Sequence, residues 1–100
     1  MKVTIAPRAR RELGAQLGYL VDRGAVARAR WLENRLSHYL STTVAAYPRT
    51  GTYLTHRDFW ETWVPRTPFV LWYRYTDTEL QIARIWHTSQ NRDAEPSTPD

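Results

Sequence analysis

The chain has 100 residues, a formal net charge of +4 and no cysteine. That length suits one domain and excludes two, and such a small domain buries only roughly 60–68% of its unfolded surface. The missing cysteines exclude disulfides, thiolate metal sites and thiol catalysis, and they fit a reducing compartment.

Met1 to Arg8 has no long apolar stretch and does not read as a signal peptide. No run of about 18 apolar residues exists, so no membrane span is expected, and cytoplasmic placement is the expectation. Lys2 is the only lysine, and arginine supplies the rest of the basic charge. Guanidinium groups bind carboxylates and phosphates bidentately, so an acidic protein or a nucleic acid is the implied partner. Five Trp and six Tyr supply core area and also anchoring surfaces.

In chain order, Lys2 to Ala6 is β-branched and alternating, and it reads as a strand. Pro7 suits a first helical turn. Leu13, Leu17 and Leu20-Val21 then recur at helical spacing as far as Asp22-Arg23, where Gly24 is available for a left-handed cap. Gly14 and Gly18 share one face of this helix, which suggests close approach of another element. Residues 25–46 read as a second helix, with Ala25, Ala29, Leu32, Leu36, Tyr39-Leu40 and Thr43-Val44 as its apolar stripe. Two helices so closely joined form an antiparallel hairpin.

Tyr47-Pro48-Arg49-Thr50-Gly51 breaks the helix. Residues 56–64 alternate as a strand, with Phe59, Glu61 and Trp63 on one face and Trp60 and Thr62 on the other. Pro65 to Pro68 is a turn, and Phe69 to Thr76 is apolar enough for a central strand. A hairpin at residues 76–79 leads into a last strand, in which period two puts Leu80, Ile82, Arg84 and Trp86 on one face and Ala83, Ile85 and His87 on the other. Residues 93–100 are acidic and proline-rich and read as a disordered tail, leaving residues 1–92 as the domain. The expected class is α+β, in the order β-α-α-β-β-β. The hairpin covers one face of a small, mainly antiparallel sheet, and the other face is partly open.

Three segments carry a resemblance: Val70-Leu71-Trp72-Tyr73-Arg74-Tyr75-Thr76-Asp77, Leu80-Gln81-Ile82-Ala83-Arg84-Ile85-Trp86-His87 and Gln90-Asn91-Arg92-Asp93. With Pro7-Arg8-Ala9 and the Tyr47-Pro48-x-x-Gly51 connection upstream, the chain resembles the RelE/ParE superfamily of bacterial type II toxins over about residues 2 to 93. The resemblance implies a toxin neutralised by a co-encoded antitoxin, acidic and partly disordered. RelE-like members of that superfamily cleave messenger RNA on the ribosome, whereas ParE-like members inhibit DNA gyrase.

Ribonuclease chemistry needs an acid and a base near cations that stabilise a phosphorane. On that reading His87 is the acid or base, and Arg66, Arg74, Arg84 and Arg92 are the candidate cations. Several features depart from the RelE-like pattern. Lys2 is the only lysine, Pro68 and Phe69 stand where a basic residue often opens the third strand, and the tail is acidic without Tyr. These departures favour the ParE-like side, with no cofactor. An endoribonuclease and a non-toxic binding module remain the alternatives.

Arg57, Trp60, Trp63, Arg66, Trp72 and Trp86 are the candidate target- or antitoxin-binding residues, with at least two of the tryptophans expected in the core. Arg84 also has a plainer reading, as a buried cation paired with a carboxylate such as Glu61. His38 and His56 have no partner at metal-ligand spacing, so no metal is expected.

Overall fold

The computed structural model describes residues 1–94. The chain opens with strand β1 (Lys2–Ile5), then helices α1 (Pro7–Asp22) and α2 (Val26–Tyr39). Pro7 begins α1 where a missing N–H costs nothing. Gly24, at φ 81, turns the chain into α2 through the left-handed region. The second helix does not stop at Tyr39: a π-helical turn over Leu40–Val44 continues it and keeps Leu40 and Val44 in the core.

Four strands follow: β2 (Thr52–Leu54), β3 (Phe59–Trp63), β4 (Phe69–Tyr75) and β5 (Glu79–His87). The sheet order is β1-β5-β4-β3-β2, with β1 parallel to β5 and every other pair antiparallel. This is the expected α+β architecture with one short strand added at the edge. The expected strand at residues 56–64 begins only at Phe59. His56 to Asp58 form a turn instead, with Asp58 at φ 58.

The main core lies between the hairpin and one sheet face. Ala9, Leu32, Leu36, Leu40 and Val44 meet Val64, Phe69, Leu71, Tyr73, Leu80, Ile82 and Ile85 there. Tyr73 is fully buried; its hydroxyl donates to Pro48 O at 2.6 Å and accepts from Gly51 N at 3.3 Å. Burial is the largest cause pushing its pKa up, to about 12. Gly51 is required by this approach, since a Cβ there would stand 2.5 Å from Glu61 O and 2.8 Å from the Tyr73 hydroxyl. Gly14 and Gly18 behave oppositely to expectation: a Cβ at either would meet nothing within 4 Å.

The alternation expected for the last strand is broken by a bulge. Trp72 pairs with Arg84, but Tyr73 pairs with Ile82, so Ala83 is the extra residue. Leu80, Ile82, Ile85 and His87 therefore share the helix side, while Arg84 and Trp86 point to the other.

The parallel pairing of β1 with β5 ends at Ile5 and Ile82. Past that point α1 lies along the edge of β5 and supplies side chains in place of a strand. Glu12 Oε1 accepts from Ile85 N at 2.9 Å, and Gln16 Nε2 donates to Ile85 O at 3.0 Å. Glu12 and Gln16 are four residues apart, so they lie on one helix face and satisfy both backbone groups of Ile85.

Candidate functional site

The sheet face away from the helices carries a second, smaller apolar cluster of Val70, Trp72 and Trp86, flanked by Leu54 and Phe59. Phe59 stacks on Trp72 with ring centroids 5.6 Å apart, and Trp72 meets Trp86 edge-on at 5.1 Å. Guanidinium groups rather than a helix roof this cluster. Arg84 stands 3.9 Å over the Trp86 ring, Arg74 4.2 Å over Phe59, and Arg57 6.0 Å from the Trp72 centroid. Cations over aromatic faces are attracted by the ring quadrupole, and their stems cover apolar surface. The expectation of a partly open face fails around Trp72 and Trp86, which are only 3% and 4% exposed.

The C-terminal segment is pinned to this roof. A single 3₁₀ turn, Arg92–Ala94, brings Arg92 Nε within 3.1 Å of Glu61 Oε2 and its guanidinium 5.1 Å over Trp63. Glu61 Oε2 also accepts from Trp72 Nε1 at 2.8 Å, and Arg57 donates to Asp93 O at 3.0 Å. Asp93 and Ala94, the first residues of the expected disordered tail, thus belong to a turn. Residues 95–100 of that tail lie outside the described residues.

The candidate acid–base residue and the candidate cations are not gathered in one place. His87 ends β5 on the helix side. Its Nδ1 meets Ser89 Oγ at 2.7 Å and Ser89 N at 3.1 Å, and its backbone N–H donates to Gln90. Arg74, Arg84 and Arg92 are on the other side of the sheet. Arg84 is buried in an ion pair, its Nη2 2.7 Å and its Nε 2.9 Å from Glu12 Oε2. The paired reading of Arg84 therefore holds, with Glu12 in place of Glu61; Glu61 instead takes Arg92. Arg74 is exposed and donates to the backbone oxygen of Asp58 at 3.3 Å. Arg66 is exposed at the β3–β4 turn with φ 65.

The candidate binding tryptophans divide in the same way. Trp72 and Trp86 are core residues of the second cluster, and Trp60 packs against the main core, near Tyr53 and Tyr75. Trp63 alone of the four is open, at 54% exposure.

A solved structure of the chromosomal ParDE TA system from P. aeruginosa contains a chain of the same fold. The match has a TM-score of 0.70 at 20% identity and covers 87% of this chain and 95% of that one. The chain shares the fold of a ParDE toxin–antitoxin protein. No family model and no curated protein matches the sequence.

Two features escaped the sequence reading. The first is Glu12, whose two partners lie in β5, far away along the chain. The second is an exposed strip on α2. Trp31, 39% exposed, is flanked by Arg28 at 4.8 Å and Arg35 at 5.5 Å from its ring centroid. The i, i+3, i+7 spacing of Arg28, Trp31 and Arg35 was a usable signal, because it places all three on one helix face.

Proposed function

We propose that this chain is the toxin of a ParDE-like pair: it arrests growth by docking on an essential target, DNA gyrase first, and a cognate acidic antitoxin silences it. The observation that carries this reading is the shared fold over nearly the whole of both chains. The arrangement of polar residues supports a binding toxin over a nuclease. General acid–base chemistry on a phosphodiester needs its acid, base and cations within hydrogen-bond reach of one substrate. Here the sheet stands between His87 and Arg74, Arg84 and Arg92. Glu12 and Glu61 already neutralise two of those three cations. A carboxylate beside each would also repel an incoming phosphate.

The test is tightly controlled expression of the chain alone, followed by co-expression with the small acidic protein encoded beside it. Growth should stop in the first case and resume in the second. Purified protein should inhibit supercoiling by gyrase. Normal growth at high levels of folded protein would remove the toxin reading and leave the non-toxic binding module. Arrest with specific message cleavage, abolished by His87→Ala, would replace it with the ribosome-dependent endoribonuclease.

A further inference from the structure

A row of arginines runs along one flank of α2 and onto the β3–β4 turn. Arg28 and Arg35 lie 4.8 Å and 5.5 Å from the Trp31 ring centroid. Seven residues apart, they share one helix face about 10 Å long at 1.5 Å per residue. Arg35 Nη2 also donates to Pro65 O at 3.5 Å, which ties the strip to the turn where the next residue, Arg66, is exposed. At the hairpin turn Arg23 stands 4.3 Å over the Tyr19 ring. Tyr19 and Arg28 border one groove, so Arg23 extends the row at that end.

Carboxylates are sparse along this row. Residues 62–76 contain none, and residues 7–39 hold seven arginines against Glu12, Asp22 and Glu33. Glu12 is committed to Arg84. Glu33 is five residues from Arg28 and two from Arg35, which at about 100° per residue turns it to another flank of the helix. Only Asp22, next to Arg23 in the chain, remains near the end of the row. None of Arg23, Arg28, Arg35 and Arg66 is paired with a carboxylate among the described residues.

We infer that this row binds the phosphate backbone of duplex DNA without reading its sequence. The inference rests on the ParDE-like reading only in naming DNA rather than RNA, since the proposed target works on DNA duplexes.

The spacing of charge selects the occupant. Duplex DNA carries one negative charge per roughly 1.7 Å of its axis, so arginines about 10 Å apart meet phosphates in any register. An acidic protein would need carboxylates placed to match. A guanidinium held against a ring loses less freedom when it binds and keeps its N–H edge for a bidentate phosphate contact. Single-stranded nucleic acid gains most from a bare aromatic face for its bases. Arginines flank Trp31 on both sides along the helix, and Arg23 stands over Tyr19, so the row offers charge and no stacking platform.

The probe is a dye-labelled DNA duplex of roughly 20 base pairs, about 70 Å long. An RNA duplex of the same sequence, the single DNA strand and polyglutamate serve as competitors. Binding to the full chain is followed by fluorescence anisotropy. Two unrelated DNA sequences should bind within about twofold of each other, because phosphate contacts carry no sequence information. Affinity should fall steeply as salt rises. The triple variant Arg28→Gln, Arg35→Gln, Arg66→Gln should bind at least about tenfold more weakly, with a salt slope smaller by about 3, near 0.9 for each arginine removed. The triple variant Arg10→Gln, Arg11→Gln, Arg30→Gln removes the same charge from exposed positions outside the row and should bind within about twofold of wild type. Circular dichroism should show both variants folded.

No duplex binding, equal losses in the two triple variants, or stronger competition by RNA, single strand or polyglutamate would each overturn the inference. Growth arrest and gyrase inhibition are measured separately. Arrest with gyrase inhibition but no DNA binding removes this surface and keeps the toxin reading; DNA binding through the row without arrest does the reverse.

Discussion

The two faces of one sheet are closed by different means. On the helix side, Leu71 and Tyr73 of β4 are covered by continuous backbone that buries whole apolar side chains. On the other, Val70 and Trp72 of the same strand are covered by arginine stems and one 3₁₀ turn. Burial at the two positions is almost equal: Leu71 is 0% exposed and Trp72 is 3%. Burial alone therefore does not say how firmly a face is held. The helix side depends on the hydrophobic effect, which salt leaves largely intact. The arginine side depends partly on ion pairs and cation–ring contacts, which salt and single charge changes can loosen.

The largest effect should come from the helix side. Leu71→Ala should cost about 2–5 kcal/mol in urea unfolding, with little dependence on salt, because it removes buried methylenes and leaves a cavity among fixed neighbours. A loss under about 1 kcal/mol would mean that the hairpin collapses easily onto the sheet. Next is Glu12→Ala, at about 3 kcal/mol. It removes the carboxylate that faces the buried Arg84 guanidinium and, with it, the acceptor of the Ile85 N–H. If the double variant Glu12→Ala, Arg84→Met were as unstable as Glu12→Ala alone, the pair would not be what links the two faces.

Tyr73→Phe should cost about 1 kcal/mol for its lost hydrogen bonds and should also change the alkaline limb. A phenol whose folded pKa is raised to about 12 by burial ionises first in the unfolded chain. Its contribution is complete below about pH 10 and declines as pH climbs toward 12. The gap between wild type and Tyr73→Phe should therefore narrow over that interval, and a gap constant with pH would contradict it. On the arginine side, Arg92→Ala should cost about 1 kcal/mol or less, with the difference shrinking at high salt. It should also shift emission from Trp63, which loses its stacked guanidinium.

The helices and the central strand were legible because their signals are local and periodic: Leu32, Leu36 and Leu40 repeat at helical spacing, and Phe69 to Tyr75 is almost unbroken apolar sequence. The strand at Thr52–Leu54 was not, since three residues are too few for a period. The bulge at Ala83 was hidden inside an alternation that continued smoothly past it. It moved Ile85 and His87 to the helix side and left Arg84 on the other, beyond what period two can show. Of the candidate site, the arginine–aromatic mixture was visible, but its use was not. Whether an arginine meets a ligand or a carboxylate depends on partners such as Glu12, and no local pattern reports them. Trp31 was overlooked because it lies off the apolar stripe that identified its helix.

The smallest effect has the opposite sign and concerns a part of the helix side that packs against nothing. Gly14 sits in the middle of α1, exposed, and an added Cβ would meet no atom within 4 Å. Glycine inside a helix costs roughly 0.5–1 kcal/mol relative to alanine, because it has more freedom to lose on folding. Gly14→Ala should therefore stabilise the protein by about that much, with an unchanged dependence on urea concentration. A loss of stability would show that α1 approaches another element at Gly14 after all.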